Sequence, residues 1–379
     1  MKNTIMTPFT SHHSGAFSSN LFTRIAAAAA IAASCLFTPL THAADMGIAP
    51  DIKAYVPKPL TVPTDRPYVV AKDTVFIAGN DVLDPLWKII HERFQAHHPN
   101  IKFKMLMWGS TLAVEGLVSE KSALGPIGRF NRRVEADAFT ERFGYPVTYF
   151  QIGYDHNPNN KLSTGIWVHS SNPIKSLTKD QVARIFSSGN GKGDITHWSQ
   201  LGVTQSDWAN LPIHAYAARD TSGILALIDE FRHMIGGTPY SPRIEWLPKG
   251  AAVIDTVAQD AFGMGLMDFW NNAMEMRGVT KWPRMDEFHD KVKFVPISID
   301  ENSEPSDGTL TGSLHPFSSG FGIDINKAPG KPLDPWLKAY CEFLVSTEVQ
   351  EIISSPEMRK FGFRPLQAGD VAKELKKLE

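Results

Sequence analysis

Ala218-Arg219-Asp220-Thr221-Ser222-Gly223-Ile224-Leu225-Ala226-Leu227-Ile228-Asp229-Glu230-Phe231 follows the apolar run Leu211 to Ala217, and its reading sets the reading of the chain. Leu225, Ile228 and Phe231 recur at helical spacing, so the segment predicts strand, loop, helix. The first amides of a helix have no intrahelical acceptor, and the aligned peptide dipoles place partial positive charge there. A loop carrying Thr221, Ser222 and Gly223 at such a start can therefore receive an anion. Arg219 adds a permanently charged, forked donor suited to an oxyanion. The plainer alternative stays open, in which Thr221 or Ser222 is only an N-cap and Arg219 a solvated charge.

Working outward, the same unit recurs. Thr74 to Gly79 predicts a strand, Asn80 to Pro85 a turn, and Leu86, Ile89, Ile90 and Phe94 the inward face of a helix. Ile101 to Met107 alternates as a strand and ends at Trp108-Gly109-Ser110-Thr111, after which Leu112 to Glu120 reads as helical. Ala123 to Gly128 is a short strand running into Arg129. Strands are also expected at 145–153, 165–169, 262–267, 292–299 and 321–325, and closing helices at 336–347 and 349–354. Strands alternating with helices indicate α/β architecture. Gly263 and Gly265 inside one strand suggest a close backbone approach or a crossing between domains.

Other strings attract attention and lead to plainer chemistry. His91-Glu92 and His97-His98 lack the spacing of a zinc-protease helix, and solvated helix-end histidines are expected there. Ser176 to Lys179 forms an S-x-x-K string, but Thr178 with Gln181 makes a capping box that accounts for it. No Ser/His/Asp set, paired carboxylates or metal spacing emerges, so no catalytic residue, metal or cofactor is expected.

The chain has 379 residues, 42% of them hydrophobic, enough for two cored domains. Lys2 and Arg24 precede the Ala-rich run Ile25 to Phe37, and Thr41-His42-Ala43 supplies small residues for cleavage. This is the pattern of a cleavable export signal spanning 1–43. A retained anchor is disfavoured by the short, Ala-rich run, and lipid attachment at Cys35 by the absence of a large aliphatic residue before it. Loss of the signal takes the formal charge from −2 to −4, since its charged side chains are the two cations. No basic stripe points to nucleic acid. Cys341 then remains as the single cysteine, expected as a small core residue of a helix. Residues 44–72, with five prolines, read as an extended arm without assigned function.

The order and spacing of five stretches resemble the periplasmic phosphate-binding proteins of ABC importers, the PstS-like family. They are Gly79 to Pro85; Gly109-Ser110-Thr111; Asn172 to Phe186 with Ile195 to Trp198; Arg219 to Gly223; and His315 to Phe317 through Gly330 to Pro335. The resemblance implies a two-lobed α/β fold, each lobe a mixed sheet flanked by helices, with two crossing strands and a ligand cleft between lobes. Lobe 1 would comprise 73–152 plus 265–370, and lobe 2 would comprise 153–264. It also implies a monomeric periplasmic receptor that hands phosphate or a related small oxyanion to the membrane subunits of an ABC importer, without being an enzyme. Carried over, the ligand-binding positions are Asn80, Asp81, the Val82 amide, Ser110, Thr111, Arg129, Arg219, Thr221, Ser222 and Gly223. The chain departs from the family where Ile224 replaces a hydroxyl and where Ala123, Ile127 and Gly128 stand in place of polar side chains. Those departures motivate an alternative, a sensory or surface-adhesion module that has given up phosphate. Asp81 is a candidate acceptor for the proton of hydrogen phosphate, or else an N-cap.

Overall fold

The computed structural model describes residues 47–81, 83–156, 165–219, 227–248, 250–267, 291–306 and 313–379. The expected export signal lies outside them, as do Val82, Thr221, Ser222 and Gly223.

The first group of sheets begins with β1 (Val69–Ala71), antiparallel to β2 (Thr74–Gly79), which runs parallel to β3 (Lys102–Met107). The crossover between β2 and β3 is α1 (Asp84–His97), with Pro85 in its first turn where no amide is needed. Its buried face is Leu86, Trp87, Ile90, His91 and Phe94. This corrects the expected solvated histidines: His91 and His98 are each only 3% exposed, and His97 pairs with Glu348 at 2.8 Å. Beside this sheet lies a second one, ordered β14 (Phe363–Arg364), β5 (Thr148–Asp155), β13 (Ser319–Ile325) and β4 (Gly125–Ile127). The Asn80 amide donates to Pro126 at 2.9 Å and the Ala123 amide to Phe76 at 3.1 Å, so the two sheets meet edge to edge. A Cβ at Gly79 would fall on the Pro126 carbonyl, which is why glycine ends β2.

Helices α2 (Thr111–Val118) and α3 (Arg133–Phe143) flank this group, with α7 (Pro335–Leu344), α8 (Thr347–Ser354), α9 (Pro356–Lys360) and α10 (Asp370–Lys376) following in the C-terminal part. Cys341 is buried in α7 within the core formed by Trp87, Phe94, Trp336, Tyr340 and Phe343. The proline-rich arm joins that core through Ile48, Ile52 and Val62. It is pinned by Tyr55 to His98 at 2.8 Å, by Thr347 N–H to the Lys53 carbonyl at 2.9 Å, and by a forked Arg66 to Asp334 contact at 2.6 and 3.0 Å. The arm is thus a strap over the first group.

The second group is a five-stranded sheet in the order β11 (Val292–Phe294), β6 (Gly165–His169), β10 (Gly263–Met267), β8 (His214–Ala218) and β9 (Glu245–Leu247). Strands β8, β9 and β10 are mutually parallel, with β6 antiparallel to β10. A separate pair joins β7 (Leu177–Thr178) to β12 (Ile297–Ser298). Helix α4 (Lys179–Phe186) begins with the expected capping box, in which Thr178 and Gln181 exchange hydrogen bonds of 2.8 and 3.1 Å. Helices α5 (Leu227–Met234) and α6 (Gly250–Val257) complete the group among the described residues. Gly265 lies under α6, where a Cβ would come within 2.7 Å of Val253, so the close approach expected of that strand is a helix packing on it. Residues 265–267 and 292–298, expected with the first lobe, take their strand partners and their apolar neighbours from this second group. Adjacent strands, rather than local pattern, decide that membership. The chain passes between groups after β5 and again before β13, where Asp155 faces Ser319 and His156 meets Ser318 Oγ at 2.9 Å.

Candidate anion-binding site

Three loops meet where β2, β3 and β4 end. Trp108 and Gly109 both donate their amides to the Gly79 carbonyl at 3.0 Å, folding the loop after β3 onto the end of β2. Gly109 has φ of 136°, a conformation in which a side chain would be strained. Asn80 then bridges the loops: its Oδ1 accepts the Leu83 amide at 3.1 Å and its Nδ2 donates to Ser110 Oγ at 2.7 Å. A hydroxyl that accepts from Asn80 retains its own proton to give to a ligand. Ser110 is the N-cap of α2 without a side-chain capping bond, and among the described residues the Ser110 and Thr111 amides have no acceptor. That is a helix start with donors directed outward. Trp108, 77% exposed, stands beside it.

The third loop follows β4. Gly128 packs against Asn80, with a Cβ position 3.2 Å from Asn80 Nδ2. Arg129 is buried and grips Glu135 in a forked contact, both bonds 2.7 Å, while also donating to the Phe130 carbonyl at 3.1 Å. Its charge is therefore matched inside the protein. Burial alone would raise the Glu135 carboxyl, but the Arg129 hydrogen bonds and charge, with the Arg132 amide, hold it below the usual range. Two residues on, Asn131 donates to Asp324 at 2.8 Å. Asp324 is fully buried, and desolvation pushes its carboxyl up to about 7 despite the Asn131 bond. Sequence reasoning missed Asn131, Glu135 and Asp324. The readable signal was an acid inside Phe321-Gly322-Ile323-Asp324-Ile325.

Asp81 is exposed and does not cap α1, since the Leu83 amide goes to Asn80 instead. Arg219 lies at the end of β8, its amide donating to the Leu247 carbonyl at 2.7 Å and its side chain exposed. Among the described residues Arg219 makes no contact with Asn80 or Ser110, so those two meet each other and Arg219 stands on the other sheet group. Helix α5, which follows the Arg219 loop, does reach the first group. Its buried Glu230 accepts from Ser319 Oγ at 2.9 Å, and the His233 ring lies 4.0 Å from that of Phe130.

The model of the PBP superfamily domain matches residues 68–348. The chain belongs to this superfamily. Over 306 residues this PBP-superfamily chain is 28% identical to the phosphate-binding protein PstS of Pseudomonas aeruginosa, covering 79% of this chain and 85% of that protein. Among solved structures, an ABC-type phosphate transport receptor from Vibrio cholerae is 17% identical, with 77% and 99% of the two chains covered and a TM-score of 0.37. PstS from Borrelia burgdorferi is 16% identical, with 77% and 98% covered and a TM-score of 0.38. The PstS-like stretches read from the sequence stand with the superfamily match. No described helix of this PBP-superfamily protein is long and apolar enough to cross a membrane.

Proposed function

We propose that this PBP-superfamily protein binds phosphate or a closely related small oxyanion and delivers it, in the periplasm, to the membrane subunits of an ABC importer. The observation that carries the reading is the meeting of Asn80, the Ser110 hydroxyl and the unpartnered α2 amides at the ends of parallel strands. Ligands of open α/β sheets bind at such strand ends. Arg219 supplies the counter-charge from the other group, and by resemblance the Val82 amide, Thr221, Ser222 and Gly223 complete the donor set. Each charge-assisted hydrogen bond contributes about 1.5–3 kcal/mol, so four to six donors support about micromolar binding after the cost of ordering. Arg219→Ala should weaken phosphate binding at least tenfold by calorimetry; unchanged affinity would remove Arg219 from the site.

A second reading, a module on the same scaffold that no longer takes phosphate, is favoured by one observation. Arg129 is matched by Glu135 and brings no free charge to an anion. A thermal-shift screen with phosphate, sulfate, molybdate and phosphonates separates the two, because a ligand bound only by the folded state raises the midpoint. No rise with any anion selects the module.

A further inference from the structure

Strand β3 ends the first sheet on one side, and among the described residues no strand pairs with its outer edge. The Lys102 amide donates to the Asp73 carbonyl at 2.8 Å and the Trp108 amide to the Gly79 carbonyl at 3.0 Å, so the even-numbered positions turn their backbone groups toward β2. Alternation then turns the amides and carbonyls of Phe103, Met105 and Met107 outward, where among the described residues they have no partner. The side chains of the same three residues are half-buried on the core below and floor an open groove of about 440 Å³ between β3 and α1. Asp84, Lys88 and Glu92, four residues apart on α1, line its wall. Asp84 and Lys88 match each other at 2.7 Å, whereas Glu92 is exposed and among the described residues makes no ion pair. The other face of β3 carries Lys102 and Lys104, both exposed and in no ion pair among the described residues, and then Trp108, 77% exposed.

We propose that the β3 edge is a docking site for an extended peptide segment that adds a strand to the sheet, its apolar side chains in the groove and its acidic ones along Lys102 and Lys104. Main-chain bonds to the three outward residues supply affinity, and the alternate side chains supply specificity. Two lysines on one face of an edge oppose pairing with a second copy of that edge and favour a strand bearing carboxylates. Glu92 fixes the register, because a slip of one residue would set the acids against its carboxylate and the apolar groups against the lysines. Trp108 gives the strand end an exposed aromatic contact of the kind that anchors interfaces. The proposal is independent of the phosphate reading.

The probe is a fluorophore-labelled seven-residue peptide alternating glutamate and valine, titrated into the purified protein and followed by anisotropy, with amide hydrogen exchange read residue by residue. Saturable binding below about 1 mM peptide is expected. Exchange at the Phe103, Met105 and Met107 amides should slow at least about tenfold, while the Lys104 and Leu106 amides, already turned to β2, should not change. Lys102→Glu/Lys104→Glu should weaken the acidic peptide about tenfold and favour a lysine and valine peptide by a similar factor. The variant should keep the parent's melting midpoint within a few degrees and its phosphate affinity within twofold. The proposal is overturned if anisotropy does not rise, if protection falls on other amides, or if the charge swap does not exchange the preference. It is also overturned if the three amides are protected without peptide in a concentration-dependent dimer, which would make the edge an interface between copies.

Discussion

The two ends of the loop 128–132 each bury a carboxylate, and the two behave in opposite ways. Glu135 is 7% exposed and receives both arms of Arg129 and the Arg132 amide, and its carboxyl is held low. Asp324 is fully buried with one hydrogen bond from neutral Asn131, its Oδ2 has no partner among the described residues, and its carboxyl is raised to about 7. Both carboxylates lose water; only Glu135 is hydrogen-bonded to a counter-charge, while Asp324 feels Arg129 without contact and is opposed by Glu135. The comparison teaches that the partner, and not the depth of burial, decides whether a buried acid strengthens this loop or strains it.

The largest effect should come from breaking the matched end. Glu135→Ala leaves the Arg129 guanidinium buried without its carboxylate, and loss of one partner of such a pair costs about 3–5 kcal/mol. Urea unfolding at neutral pH measures this. A loss below about 1 kcal/mol would mean that water reaches Arg129 and that the two ends do not differ as described.

The next effect is a pH dependence with a definite sign. Asp324 has a folded-state pKa of about 7 against 3.8 for the free group, so its stabilising contribution is complete below about 3.8 and is lost as pH rises through about 7. Glu135, held low, works the other way: its contribution is present above its ordinary range and lost on acidification. Asp324→Asn should therefore gain stability over the parent as pH rises from 4.5 to 8, by up to about 3 kcal/mol, the part of the span between the two values that this window covers. A difference between parent and variant that stays constant across that range would place Asp324 in contact with solvent or an unseen cation. Asn131→Ala sharpens the same point on a smaller scale. Removing the one bond to the Asp324 carboxylate should cost about 1 kcal/mol at pH 8 and move the pH midpoint of the parent upward, because that bond favours the charged form.

Such a loop shows where sequence reading succeeds and stops. Strands 74–79 and 165–169 were legible because their apolar runs end at turn residues, and the α4 capping box because its two partners lie three residues apart. His91 was misread although the signal was present, since Trp87, Ile90, His91 and Phe94 share one helical face at spacings of three and four. Within the site, Asn80 and Ser110 were legible as loop ends. Their mutual hydrogen bond was not, because thirty residues separate them. Asp324 and Asn131 are separated by 193 residues, and no local pattern joins them. The pairing of 265–267 and 292–294 with β6 was not legible for the same reason.

The smallest stability effect carries the sharpest test of how the loop serves the anion. At Gly128 an added Cβ would lie 3.2 Å from Asn80 Nδ2 and 3.6 Å from its Cγ, tighter than ordinary packing yet against a side chain that can shift by a few tenths of an ångström. Gly128→Ala should therefore cost less than about 1 kcal/mol in folding, since the only displaced group is the end of an amide side chain. The shift falls, however, on the nitrogen that donates to Ser110 Oγ at 2.7 Å, and that bond fixes the direction in which the serine proton points. A misaimed donor loses much of a charge-assisted bond, so phosphate affinity should fall several-fold while the melting midpoint barely moves. Calorimetry on parent and variant gives the answer. If Gly128→Ala binds phosphate as tightly as the parent, the Asn80 to Ser110 bridge only closes two loops and the anion is held elsewhere.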